Sequence, residues 1–245
     1  NSSGTYSYNG VSNNYSMNFD GVNDFIKVGV PNGMNPTSSH TFMFWSKNLT
    51  TACDGGVIVG EEDSPVCGGM PSTNYGIHYG FRACSNDCPS GNCFGMDFYN
   101  NWVFSPSYLQ NNWTHWALTY NTTTLERVIY KNGQIFTQDF SSGSYLGNFD
   151  ILIGANKFLC SPWGDWYSGN LDDLSIWSSS LTQLEIEGYI NCPPNGNETN
   201  LEVFYNFEEG SGNTAYDQTS NGNNGTINGA SYDTNVPSQS CNLTS

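Results

Sequence analysis

The chain has 245 residues, 37% of them hydrophobic, with 6 Lys+Arg against 22 Asp+Glu and a formal net charge of −16. That length suits one large β domain or two small ones, while 7 Trp, 15 Tyr and 14 Phe argue against disorder and the scarcity of basic residues argues against a nucleic-acid partner. With only 11% charged residues, the surface is made polar mainly by Asn, Ser, Thr and Gly, which are poor helix formers, so an α-rich fold is disfavoured and the acidity serves either solubility or hard cations.

Alternation of period two dominates in chain order. Tyr15, Met17 and Phe19 share one face of a first strand, which meets Asp20-Gly21 and resumes as Phe25-Ile26-Lys27-Val28. Thr41 to Ser46, Gly56 to Gly60, Tyr75 to Arg82 and Phe94 to Tyr99 read as further strands. The strand from Trp113 to Tyr120 sets Trp116, Leu118 and Tyr120 on one side and Trp113, His115 and Ala117 on the other. Arg127 to Lys131 and Gln134 to Gln138 flank Asn132-Gly133, the preferred type I′ hairpin turn. Ile151 to Gly154 and Leu171 to Trp177 complete the strands, and short strands without interleaved helices predict an all-β antiparallel sandwich. One short helix is predicted from Gln183 to Ile190, with a capping box (Thr182, Glu185) and a hydrophobic staple (Leu181, Ile186), ending before Cys192-Pro193-Pro194.

Eight cysteines in an Asn-rich, Lys-poor chain favour disulfides in an exported protein. Cys84 and Cys88 with nearby Cys93 offer a zinc-like spacing, but no second tight pair and no nearby histidine completes a four-ligand set. No apolar run is long enough for a membrane span, so membrane insertion is not expected, and a signal peptide is either removed or lies outside this sequence. Eight Asn-x-Ser/Thr sequons match what chance gives at this composition and say nothing of the host.

The order of motifs carries more information than any one of them. Residues 15–28, then Thr41-Phe-Met-Phe-Trp-Ser, Trp113-Thr-His-Trp-Ala-Leu-Thr-Tyr, Ile129-Tyr-Lys-Asn-Gly and Gly169-Asn-Leu-Asp-Asp-Leu-Ser-Ile-Trp with Leu181-Thr-Gln-Leu-Glu-Ile form a collinear set. It resembles the laminin-G-like, concanavalin A-like jelly roll over residues 14–191, and residues 168–190 also resemble the matching part of pentraxins. The resemblance implies two curved antiparallel sheets, one concave and one convex. Residues 1–191 would form the jelly roll. Residues 192–245 resemble the opening of such a unit, yet close the chain. They either begin a further repeat or pack on the same domain, the reading favoured here, with a Cys192 to Cys241 disulfide tying the tail to the helix end. Proximity pairs Cys53 with Cys67 and leaves Cys84, Cys88, Cys93 and Cys160 open. The Cys-Pro-Pro and Ser-Gln-Ser-Cys frame is similar to exported multidomain proteins of marine Bacteroidetes.

Calcium is implied by the same resemblance, since related jelly rolls hold a structural ion between the N-terminal strand region and an Asp on the last strand. The matching positions are Asp20, the Gly21 carbonyl and Asp173, with Asp172 beside it. The pentraxin ligand site is not matched, because Ala155-Asn156-Lys157-Phe158-Leu159 stands where its acidic cluster would fall.

Glycosidases also use this fold, but the paired carboxylates that retaining hydrolysis needs about 5 Å apart have no counterpart in a Glu-x-Asp-x-x-Glu pattern. Glu61-Glu62-Asp63 reads as a loop before Ser64-Pro65, and His40, His78 and His115 lie in no nucleophile motif. Sugar recognition needs aromatic platforms beside hydrogen-bonding groups. Trp163, Asp165, Trp166 and Tyr167 crowd one polar loop near Asn156, while Tyr99 and Trp102, with Arg82, make a second group. The expectation is therefore a non-catalytic carbohydrate-binding unit of a secreted or cell-surface protein, binding a polysaccharide or glycan on a concave face or loop rim. The alternative is a protein-binding, adhesive unit of a bacterial surface protein; hydrolase or lyase action ranks third.

Overall fold

The computed structural model describes residues 7–8, 11–35, 38–48, 56–61, 76–83, 92–98, 101–105, 111–148, 150–157 and 164–241. In chain order the elements are β1 (Ser7–Tyr8), β2 (Val11–Ser12), β3 (Ser16–Asp20), β4 (Phe25–Gly29), β5 (His40–Asn48), β6 (Val57–Glu61), β7 (His78–Ala83), β8 (Asn92–Asp97), β9 (Trp102–Phe104) and β10 (Thr114–Tyr120). Then follow β11 (Glu126–Lys131), β12 (Gln134–Phe140), β13 (Ile151–Ile153), β14 (Ala155–Lys157), β15 (Gly164–Trp166), β16 (Ser168–Trp177), α1 (Gln183–Asn191), β17 (Leu201–Tyr205), β18 (Thr214–Ala215), β19 (Gly225–Asn228) and β20 (Ser231–Asp233). One antiparallel sheet of eight strands has the order β12-β11-β10-β5-β16-β3-β20, with β17 also on β16; the other has β18-β19-β4-β13-β6-β7-β8-β9. These two sheets form the sandwich predicted from the alternation, and α1 is the single helix of the described residues.

Alternation explains the core between the sheets. Phe42 and Phe44 of β5, Trp116, Leu118 and Tyr120 of β10, and Tyr79 and Phe81 of β7 all point inward. The opposite face of the first sheet is not left to solvent. Met43, Ala117, Val128 and Trp177 form a second apolar cluster closed by Leu181 and Ile186 at α1. That cover is why every residue of β10 is buried and why the sequence shows aromatic residues on both faces of β5. At α1 the capping box forms as expected, with the Thr182 backbone N–H donating to Glu185 Oε2 at 2.7 Å and the Glu185 N–H to Thr182 Oγ1 at 3.4 Å. At the β11–β12 turn, Asn132 (φ 49°) and Gly133 (φ 79°) both adopt the positive φ that a type I′ turn requires.

Residues beyond α1 contribute to both sheets: β17 pairs with β16, β20 with β3, and β19 with β4. Cys192 and Cys241 form a disulfide with a Cα–Cα distance of 4.8 Å, so the end of this segment is fixed where α1 stops. Cys93 is also disulfide-bonded, whereas Cys53 and Cys67 lie outside the described residues.

Candidate functional site

Three strands of the second sheet build one outward face. Ile77, Tyr79 and Phe81 of β7 with the residue before it, Phe94 and Met96 of β8, and Val103 of β9 are core residues, so period two turns His78 and Gly80, Gly95 and Asp97, and Trp102 and Phe104 the other way. Cross-strand register aligns them: His78 opposes Asp97, Gly80 opposes Gly95, Asp97 opposes Trp102 and Gly95 opposes Phe104. Glycine at 95 is required by this arrangement, because a Cβ there would overlap the Phe104 ring, which lies over the strand. The Trp102 and Phe104 rings stand 5.6 Å apart with an interplanar angle of 22°, both half-buried.

A short hairpin, β14–β15, lies over β6 and closes the other side. Gly56 and Gly60 make room for it; a Cβ at Gly56 would strike the Trp166 main chain, and one at Gly60 the Ala155 carbonyl. Register sets Asn156 opposite Asp165, and the Asn156 amide donates to His78 Nε2 at 2.8 Å. His78 Nδ1 lies 3.3 Å from Asp97 Oδ2, and Asp97 Oδ1 accepts from the Asn101 backbone N–H at 3.1 Å. From β9 to the hairpin, then, this face carries two half-buried aromatic rings at one side and, beside them, a buried row of polar groups, Asp97, His78 and Asn156, in contact with one another.

Several residues singled out in the sequence meet here. Asn156, Asp165 and Trp166 sit on one hairpin, Trp102 stands on β9 opposite Asp97, and Trp166 packs on Phe25 with ring centroids 6.3 Å apart. Trp163 and Tyr99 lie outside the described residues, and Arg82 is described only as a position on β7, opposite Cys93. Tyr167 is a correction. It is fully buried between the sheets against Phe19 (5.9 Å) and Phe81 (6.5 Å), its hydroxyl donates to the Asn170 carbonyl, and burial pushes its ionisation far up, so it serves the core and not a ligand. His78, Asp97, Gly95 and Phe104 complete the face. Their signal in the sequence was alternation against known core positions, which the strand reading of Tyr75 to Arg82 and Phe94 to Tyr99 already contained.

The proposed calcium set does not converge. Asp20 pairs with Ser168, so Asp172 and Asp173 lie four and five positions farther along β16, about 13 and 16 Å away at strand rise. Asp20 Oδ1 accepts the Val22 backbone N–H at 2.8 Å, and Gly21 (φ 80°) turns the chain there. Asp172 also departs from simple alternation. It pairs with Trp45 on the outer face, because a bulge between Asp172 and Ser175, with Asp173 at φ 46°, inserts an extra residue. The bulge buries two adjacent acids. Asp172 is fully buried; its Oδ1 accepts the Asp173 N–H at 2.8 Å, and the Asn13 side chain lies against its carboxylate. Burial, then the Asp173 charge, holds its carboxyl well above the usual range. Asp173, raised by burial to about 7, accepts from Gln239 Nε2 at 2.8 Å, while Gln239 Oε1 accepts from Asn13 Nδ2 at 2.9 Å. Asn13 lies beside Asp172, and its own Oδ1 is buried without a partner among the described residues.

Other titratable groups are used internally. Burial lowers His40 and His115 to about 3, and His40 Nε2 lies 2.6 Å from the Tyr79 hydroxyl. Glu61, expected in a loop, ends β6 and accepts the Tyr145 hydroxyl. Among the described residues no three His, Cys, Asp or Glu side chains converge as a metal site, and no helix is long and apolar enough to cross a membrane.

A family model described as the concanavalin A-like lectin/glucanases superfamily, of laminin G type, matches residues 20–187. Among solved structures, the chain is similar to a "putative carbohydrate binding protein" from Bacteroides ovatus, with a TM-score of 0.70 and 22% identity over 94% of this chain and 62% of that one. It is also similar to the heptameric SAP-like pentraxin of Limulus polyphemus, with a TM-score of 0.54 and 14% identity over 76% of this chain and 87% of that one. The chain thus spans about three fifths of the Bacteroides protein, 62% of its length. No curated protein matches it.

Proposed function

The chain belongs to the laminin G-like, concanavalin A-like lectin/glucanase superfamily, and from that premise we propose that it is a non-catalytic carbohydrate-binding unit of a secreted or cell-surface protein. The observation that carries the reading is the outward face of the second sheet, where the half-buried rings of Trp102 and Phe104 at β9 and of Trp166 on the hairpin could meet the C–H face of a sugar and the half-buried Asp165 carboxylate its hydroxyls. The similarity to a Bacteroides ovatus protein described as carbohydrate binding supports the same reading. Disulfide bonding at Cys192, Cys241 and Cys93 supports an oxidising, extracellular location.

Calcium fits one place better than the set drawn from the sequence. Asp172 and Asp173 would supply the charge, and the buried oxygens of Asp172 and Asn13 are of the hard type that calcium takes. The role there would be structural: a cation would neutralise two buried acids under the C-terminal segment, on the first sheet and away from the Trp102 face.

The test is a glycan array probed with the whole chain, with and without calcium. Retention on at least one glycan, weakened by Asp165→Ala and by Trp166→Ala, is the expected result. Absence of retention on every glycan, or release of reducing ends from a bound polysaccharide, would overturn the proposal.

A further inference from the structure

On the side of the hairpin away from β9, the second sheet continues from β6 through β13 and β4 to β19. Ile26 of β4 and Ile227 of β19 are core residues and Val28 packs against them, so period two turns Phe25 and Lys27, and Thr226 and Asn228, to the outward face. Register sets Phe25 opposite Asn228 and Lys27 opposite Thr226, with about 5 Å between the Cβ atoms of such a pair. Lys27 and Thr226 are exposed, while Phe25 and Asn228 are half-buried. Asn228 Nδ2 donates to the Thr226 carbonyl at 3.0 Å, which holds the amide on this face and leaves its oxygen as an acceptor.

The hairpin reaches this region with one ring. Trp166, itself half-buried, packs on Phe25 at 6.3 Å between centroids. Leu152 of β13, turned outward because Ile151 and Ile153 are core, is nonetheless fully buried. Sheet and hairpin thus meet in a step, with Trp166 on its wall and Phe25, Lys27, Thr226 and Asn228 on its floor. At β9 the polar neighbours of the rings, Asp97, His78 and Asn156, are buried and engaged with one another. Beside Trp166 the polar groups are reachable from solvent, as sugar recognition requires.

We propose that this step is the glycan subsite: a pyranose lays its C–H face against Trp166, its oxygens accept from Lys27 and Thr226, and one hydroxyl donates to Asn228 Oδ1. This rests on the carbohydrate-binding reading and adds to it the residues that select the sugar. The chemistry recognised is a pyranose with acceptor oxygens next to its apolar face. A row of hydroxyls and a uronate carboxylate both offer that to an ammonium group, and two arms of the test separate them.

The test repeats the glycan array with Phe25→Leu, Lys27→Gln and Asn228→Ala, each titrated over cello-, laminari-, manno- and xylo-hexaose as the neutral arm and mannuronate hexaose as the acidic arm. Asn228→Ala is expected to weaken retention about fivefold, the worth of one hydrogen bond. Lys27→Gln should weaken a neutral hexaose by a similar factor and the mannuronate by about tenfold or more. Phe25→Leu should weaken both, and Phe25→Tyr should restore them. Thermal unfolding of each variant separates lost binding from lost fold, and the exposed Lys27 and half-buried Asn228 carry the decision. Loss in Phe25→Leu alone would reduce Phe25 to a support for Trp166 and overturn the subsite. Retention unchanged in all three variants, or weakened only by Trp102→Leu, would also overturn it while leaving carbohydrate binding in place. A blank array removes the carbohydrate-binding reading, and this inference with it.

Discussion

The side-chain amide of Asn156 donates to Nε2 of His78 at 2.8 Å, joining the β14–β15 hairpin to the sheet beneath it. With Nε2 accepting, the ring proton sits on Nδ1, the atom that faces Asp97 Oδ2 at 3.3 Å. All three side chains are almost fully buried, so the contact is paid in desolvation as well as geometry. Asn156→Ala leaves a buried imidazole nitrogen unpaired, and a loss of about 1–3 kcal/mol is expected. For a chain of this size that is a fall in Tm of roughly 2–4 °C per kcal/mol, read by calorimetry. A variant as stable as the parent would show that the hairpin is held without this bond.

The buried acids predict a pH dependence with a definite sign. Asp173 titrates near 7 when folded, raised by burial, against about 3.9 for an unfolded Asp. A raised carboxylate stabilises the fold while protonated, so its contribution is complete below about pH 4 and is lost as pH rises toward 7. His40 and His115, lowered to about 3, act in the opposite sense and lose stability as pH falls below about 6.5. Comparison with Asp173→Asn isolates the acid, since Asn tolerates the positive φ at this position and still accepts from Gln239. In chelator, the parent's Tm should drop relative to the variant between pH 4 and 7. Saturating calcium should remove that drop if the ion sits at Asp172 and Asp173. A drop that calcium leaves untouched would argue against the ion, and no drop at all would show that the pair is neutralised by some other means.

Cys192 and Cys241 close a span of 49 residues containing β17 to β20. Because those strands pair with β16, β4 and β3, releasing the end should loosen edges of both sheets. The double variant Cys192→Ala, Cys241→Ala is expected to lose about 2–5 kcal/mol. Hydrogen exchange should place the new opening in β20 and the segment through Gln239 before the central strands β5 and β10. Uniform loss of protection across both sheets would contradict that order.

The fold was legible in the sequence because Met17 and Phe19 mark one face of β3, short strands follow one another without interleaved helices, and Asn132-Gly133 allows one turn type. Helix α1 was legible from its cap. Less of the site was, for a reason visible in two residues. Trp166 and Tyr167 are neighbours in an aromatic cluster, yet Trp166 stays partly exposed on the hairpin while Tyr167 is core, since a strand sends neighbours to opposite sides. Composition marked the cluster, and only parity along the strand separates its members. Parity itself failed at Asp172, where the bulge shifts the register by one. The separation of Asp20 from Asp173 was a matter of pairing offset between β3 and β16, which no local pattern encodes.

Arg127 links the first sheet to the start of β9. It is 1% exposed, and its Nε and Nη2 donate to Asp139 Oδ1 and Oδ2 at 2.9 and 2.6 Å while its guanidinium lies 5.3 Å from the Phe98 ring centroid. Nη1 also donates to the Asn101 carbonyl, and Nη2 to Asn101 Oδ1 at 3.2 Å. Asn101 immediately precedes β9, so this fork sets where Trp102 leaves the sheet. A lysine ammonium is a point charge and reaches either Asp139 or Asn101, but does not span both in one plane. Arg127→Lys is therefore expected to cost about 2–3 kcal/mol, since hydrogen bonds to a charged group are lost in the interior, and to alter the Trp102 environment. Stability is read by denaturant unfolding; the Trp102 environment is read from the fluorescence difference between Arg127→Lys and Arg127→Lys with Trp102→Phe. A lysine variant that unfolds at the parent's denaturant midpoint and leaves the Trp102 emission unchanged would show that β9 is positioned by its pairing with β8 alone.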